Sequence, residues 1–132
     1  MDAEAIRELF GAFGPITVRR MFGGAGIFAD GLCIAIVADG VIYLKADAQT
    51  VPGFEAEGLQ PFSYQAGSGK RAVMSYWRMP DRLYDDPDEL VGWARDALAA
   101  GRRAAARKSK PQSKSKPKPK LKPKPVRRQS GI

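Results

Sequence analysis

Ile6, Leu9, Phe10 and Phe13 fall at i, i+3, i+4 and i+7, which puts them on one face of a helix over residues 3–13. Gly14-Pro15 stops that helix. The period then shortens. Over residues 16–22, Ile16, Val18 and Arg20 alternate with Thr17, Arg19 and Met21, the two-residue repeat of a strand. Gly23, Gly24 and Gly26 follow at once. Glycine inside a strand-like run marks a bend or the close approach of a second backbone, so the sheet is expected to bend and begin packing here.

Two Asp-Gly pairs come next, Asp30-Gly31 and Asp39-Gly40. Asp-Gly between apolar runs signals a hairpin, because a type I′ turn needs positive φ at both central residues. Leu32 to Ala38 is apolar without alternation, as in a central strand covered on both faces. Val41–Ala46 reads as the next strand, completing an antiparallel meander over residues 16–46. Residues 48–58 carry Pro52 near a helix start and Gly58 just past its end. Strands are expected at Phe62–Gln65 and Ala72–Arg78, joined by a longer loop through Gly67-Ser68-Gly69. Asp86, Pro87 and Glu89 have the spacing of an N-cap, a first-turn proline and a capping box. The last helix presents Leu90, Trp93, Ala94, Ala97 and Leu98 on its apolar face and is expected to fray between Gly101 and Lys108. The pattern specifies an α+β domain: an antiparallel sheet with flanking helices in the order α-β(3–4)-α-β(2)-α, over residues 1–105.

Charge changes the picture at the C-terminal end. The net charge of +8 divides into −5 over residues 1–101, where nine basic residues meet all fourteen acidic ones, and +13 beyond. The thirteen cations are Arg102, Arg103, Arg107, Lys108, Lys110, Lys114, Lys116, Lys118, Lys120, Lys122, Lys124, Arg127 and Arg128. Lys and Pro alternate over residues 116–125, a composition that favours extended, self-repelling chain and supplies no apolar surface to offset ordering. Residues 106–132 are therefore expected to be a disordered polybasic tail. Such a tail attracts polyanions by releasing their counterions, without reading sequence. These thirteen residues are the candidate nucleic-acid contacts.

Several separated motifs carry a resemblance. Arg20-Met21-Phe22-Gly23-Gly24, Tyr43-Leu44-Lys45, the Ser75-Tyr76 strand ending before Pro80, and Leu90-x-x-Trp93-Ala94 resemble the TfoX/Sxy N-terminal domain family in order and spacing, over about residues 5–105. The resemblance implies a small α-β(3)-α-β(2)-α domain similar to secretion-chaperone-like folds. It implies regulation of natural competence genes, with a transcription regulator, the cyclic-AMP receptor protein, as the protein partner. It also implies a second, helical domain in full-length members, where this sequence has the polybasic tail. It supplies no catalytic residues. Arg19, Arg20, Met21, Phe22, Gly23, Gly24 and Gly26 are the candidate interaction residues from this motif, and a homodimer is compatible with them.

Chemistry is mostly excluded. With no histidine and a single cysteine, Cys33, the chain has no Ser-His or Cys-His pair, no intramolecular disulfide and no usual zinc ligand set. Gly24-x-Gly26-x-x-Ala29 has the letters of a dinucleotide fingerprint but runs toward a turn instead of opening a helix. Gly67-Ser68-Gly69-Lys70 echoes a P-loop, yet Arg71 stands where Ser or Thr is required. Asp81, Asp85, Asp86, Asp88 and Glu89 could offer oxygen ligands to a cation, though helix capping accounts for them. Cys33 is expected to be an inert buried residue, and Trp77 and Trp93 core aromatics. Arg19 and Arg20 point to opposite faces, and one could bind an anion. A small-anion enzyme is the least favoured class and a protein-interaction module with a merely solubilising tail the closest rival. No cofactor or metal is expected. No apolar run nears the about 18 residues a bilayer requires, no membrane partner is expected, and the single cysteine points to the cytoplasm.

Overall fold

Asp2 starts the first helix by accepting the Ala5 N–H on Oδ1 at 2.8 Å. Helix α1 spans Ala3–Leu9. It is shorter than its apolar period because the Gly11 and Phe13 amides turn back to Glu8 and Phe10, three residues away, tightening the chain. Phe13 still reaches the same side and meets Phe10 edge-on, with ring centroids 6.3 Å apart. The computed structural model describes residues 2–21 and 23–109, with backbone alone at 108 and 109. Met1, Phe22 and residues 110–132 lie outside the described residues, and with them most of the expected disordered tail; its first residues, 106–109, belong to a helix.

The glycine run is a hairpin, not a bend. Strand β1 (Thr17–Met21) pairs antiparallel with β2 (Gly24–Ala29), Met21 opposite Gly24, and Gly23 takes φ +78°. A bend was expected because glycines on both sides of a tight turn read as one flexible run; the structure uses them separately. Gly23 supplies the positive φ, whereas Gly24 lies against β3 (Leu32–Ala38), where a Cβ would stand 2.0 Å from the Val37 carbonyl oxygen. This adds a fourth strand to the meander. The two Asp-Gly turns form as expected: Asp30 and Gly31 have φ of 51° and 75°, Asp39 and Gly40 of 52° and 75°. The second turn leads into β4 (Val41–Lys45).

Helix α2 (Val51–Ala56) is short, with Pro52 in its first turn and Gly58 at φ +72° just beyond it. Strands β5 (Pro61–Ala66) and β6 (Gly69–Arg78) follow. Ala66 pairs with Gly69, so only Gly67 and Ser68 turn the chain, a tighter connection than expected because Gly67 adopts φ +50°. After a 3-10 turn at Asp81–Asp85, helix α3 runs Pro87–Ser109. Asp86 caps it by accepting the Glu89 N–H at 3.0 Å. The reciprocal half of the capping box is absent, since the Asp86 amide donates to the Leu83 carbonyl. The helix continues past Gly101 without the expected fraying.

The six strands form one antiparallel sheet in the order β1-β2-β3-β4-β6-β5. Val18, Ile27, Ala35, Leu44 and Trp77 lie in register across five of them on one face. On that face α1 places Ile6 and Phe10, α2 Phe54, and α3 Leu90, Ala94 and Ala97, all buried with the strand residues in one core. Burial of each large aliphatic side chain contributes about 1.5–3 kcal/mol. Strand β3 is central, as expected, but helices cover only its core face; Ile36 on the other face is half-buried. The chain divides into two units, one through Arg102 and the other from Arg103. Among the described residues no helix is long and apolar enough to cross a membrane.

The Gly24 contact generates a prediction. Gly24→Ala forces a methyl into the backbone of β3 and should cost about 1–3 kcal/mol. Gly53→Ala, where a Cβ meets nothing within 4 Å, should leave stability within about 1 kcal/mol of the parent. Urea unfolding followed by circular dichroism measures both.

Candidate functional site

The β1–β2 hairpin separates the two arginines as alternation demands. Arg20 shares a face with Val18 and lines a cleft of about 350 Å³ with Asp2, Asp39 and Gly24. Arg19 lies on the opposite face, its guanidinium 5.4 Å from the Phe28 ring centroid. A cation over an aromatic face is held by the ring quadrupole. Gly26, opposite Arg19, leaves room for the Met21 and Phe28 side chains, whose ends would lie 2.7 and 2.9 Å from an added Cβ. The motif residues thus divide between two sides of the sheet. Arg20 opens toward the helix side, where the Gly24 backbone lines the same cleft, and Arg19, Met21 and Gly26 toward the bare side.

The strands themselves carry charge of one sign. The strands contain Arg19, Arg20, Lys45, Lys70, Arg71 and Arg78 and no acidic residue. All fourteen carboxylates fall in helices, turns and loops. Lys45 pairs with Tyr76 across β4 and β6, its Nζ 5.0 Å from the ring centroid. Burial, and then the Cys33 thiol beside it, pushes the Tyr76 phenol above its ordinary pKa. Cys33 is therefore turned to the bare side and half-buried, not sealed in the core; its thiol donates to the Ala35 carbonyl at 3.4 Å. The alternation of β2 and β3 is broken by a bulge after Ile27, which shifts Cys33 opposite Phe28. Sequence periodicity carries no trace of that shift.

The helix side gathers the acids. Arg82 holds Glu57 at 2.6 and 2.9 Å and Glu89 at 2.7 Å, tying α2, the 3-10 turn and α3 together. The Arg82 hydrogen bonds hold both carboxyls below their usual 4.5. Glu89 is thus a partner of Arg82, and Asp86 caps a helix. Among the described residues no group of three or more acids and cysteines could hold a metal ion. Trp77 and Trp93 both pack on Phe54, at 6.0 and 5.2 Å. The glycine and P-loop patterns lie in strands and a hairpin turn, without the helix N-terminus that phosphate cradles use.

Of the thirteen C-terminal cations, Arg102 belongs to the first unit and forms an ion pair with Asp30. Arg103 is half-buried and Arg107 exposed on α3. The Lys108 side chain and Lys110, Lys114, Lys116, Lys118, Lys120, Lys122, Lys124, Arg127 and Arg128 lie outside the described residues, as does Phe22 of the glycine motif. Residue-by-residue reading missed the Arg82 clamp, whose partner Glu57 is 25 positions away, and the cationic sheet. Tallying charge by element would have revealed the second.

With the fold and these surfaces in hand, the sequence matches the TfoX N-terminal domain over residues 8–101. The chain belongs to that family. The TfoX match takes in the last two residues of α1, the whole sheet and α3 as far as Gly101. A curated relative, the DNA transformation protein TfoX1 of Aliivibrio fischeri, is 25% identical over 89 residues. The match covers 67% of this chain and 42% of that protein, so the chain spans less than half the length of its relative.

The Arg82 clamp sets an acid limb of stability. Both carboxyls are lowered in the folded state, so their contribution is present above pH 4.5 and is lost as pH falls through the folded values. Arg82→Gln should flatten that limb by lowering stability slightly at neutral pH, a small loss because the groups are largely exposed, while leaving stability in acid unchanged. Urea midpoints from neutral to acidic pH measure the difference.

Proposed function

We propose that this TfoX-family chain is a non-enzymatic regulatory adaptor of the competence-regulator type. The folded domain docks a protein partner of the transcription-regulator class, and the cationic C-terminal segment holds the complex on nucleic acid without reading sequence. The observation that carries this is the charge division, −5 through residue 101 against +13 beyond it, on a domain of this family. The name of the A. fischeri relative, a DNA transformation protein, supports the same reading. Lysine offers phosphate a point charge without the geometry that discriminates base edges, which is why affinity without specificity follows. A cytoplasmic, nucleoid-associated location goes with this role.

The rival reading makes the domain a protein-interaction module and the C-terminal segment merely solubilising. Anisotropy with labelled duplex DNA separates the two. The full chain should bind unrelated duplexes with similar Kd, on the order of 10⁻⁴–10⁻⁶ M at physiological salt, weakening steeply as salt rises. A chain ending at Ser109, which keeps all of α3, should lose most of that duplex affinity and its salt slope. Equal binding by the two chains would reject the adaptor reading in favour of its rival.

A further inference from the structure

The face of the sheet turned away from the helices carries aromatic rings as well as cations. Tyr43 on β4 meets Phe62 on β5 at 5.0 Å between centroids, and Phe62 stacks toward Tyr64 at 6.3 Å. Tyr64 is 47% exposed, unusual for so large a ring, and Arg71 pairs with it across β5 and β6. Lys45 and Arg19 add cations beside the same surface. A row of rings, from half-buried Tyr43 and Phe62 to exposed Tyr64, with positive groups beside it and no carboxylate on any strand, defines what could cover it.

The occupant must be anionic and must present flat, apolar faces. The chain's own segment beyond Gly101 is excluded, since it carries thirteen cations and no acid. An acidic peptide meets the charge but leaves the rings without partners. Duplex DNA presents phosphates while its bases stack on one another. A single strand meets both demands, because its phosphates recur beside bases free to stack on aromatic side chains. We propose that this open sheet face is a binding platform for single-stranded nucleic acid. Bases stack on Tyr64 and the adjoining Phe62–Tyr43 pair, and Lys45 and Arg71 take the phosphates. This platform is distinct from the C-terminal segment, which needs no unpaired bases.

The full chain tests it with labelled oligo(dT), and with a duplex of the same length, by anisotropy. Salt is raised until duplex binding is lost, which screens the C-terminal attraction. Oligo(dT) binding should persist there, fall about 5- to 150-fold in Tyr64→Ala, and survive in Tyr64→Phe, which keeps the ring. Arg71→Gln should weaken it as well. Duplex binding at low salt should be the same in all three variants, so failure here is distinguishable from failure of the adaptor reading. Unchanged oligo(dT) affinity in Tyr64→Ala would overturn the proposal. So would poly-glutamate bound as tightly as oligo(dT), which would assign the face to acidic peptides. Photocrosslinking of a 5-iodouracil oligonucleotide to the unmutated chain is independent of any variant's folding. Adducts at Tyr43, Phe62 or Tyr64 support the platform, and adducts confined to residues 102–132 overturn it.

Discussion

Helices cover one side of a six-stranded sheet and leave the other to itself, and much of the molecule follows from that constraint. The covered side can be fully apolar: Ile27, Ala35, Ile42 and Leu44 are closed off by α1 and α3, with Phe54 and Trp77 filling the end near α2. The uncovered side must remain compatible with water while keeping the strands rigid. It does so with amphipathic groups. Tyr43, Tyr76 and Tyr64 present ring faces with polar ends, and Arg19 and Lys45 lay cationic groups over aromatic surface.

The separation of charge has a local origin. Carboxylates are taken up where short polar side chains help the backbone: Asp2 and Asp86 cap helices, and Asp30 and Asp39 occupy turn positions with positive φ. Aspartate fits poorly in strands, whereas long basic side chains can lie along a pleated surface. Each placement is explained by its own element, yet together they leave the strands cationic and gather every carboxylate into helices, turns and loops. Arg82, one of the cations on the helix side, is held by two glutamates.

What could be read from sequence was what is decided within a few residues. The Asp-Gly turns, the Asp86 cap and the apolar faces of α1 and α3 depend on neighbours in the chain, and they were legible. The α+β class and the family followed from those elements and the spaced motifs. Of the two expectations for the glycine run, close approach of a second backbone holds at Gly24 and the bend does not, because that choice depends on Val37, thirteen residues away. The bulge after Ile27 and the slip between β5 and β6 after Pro61 are likewise properties of pairs of strands. They decide which face Cys33 and Phe62 occupy, so the composition of the open face could not be derived from alternation. The Arg82 clamp joins three elements distant in sequence and left no periodic signal.

The outermost strands bear on how copies of this molecule meet. β1 ends the sheet on one side, and its middle is occupied by Arg19 and Arg20 in succession. Laying two such margins side by side in antiparallel fashion would crowd like-charged guanidiniums into a single seam, which opposes ribbon growth and fibril formation. At the far margin β5 begins with Pro61, whose nitrogen has no proton to offer an incoming strand. The sheet therefore resists lengthening from either side, and self-association, where it occurs, must use a broad surface in place of a backbone ladder.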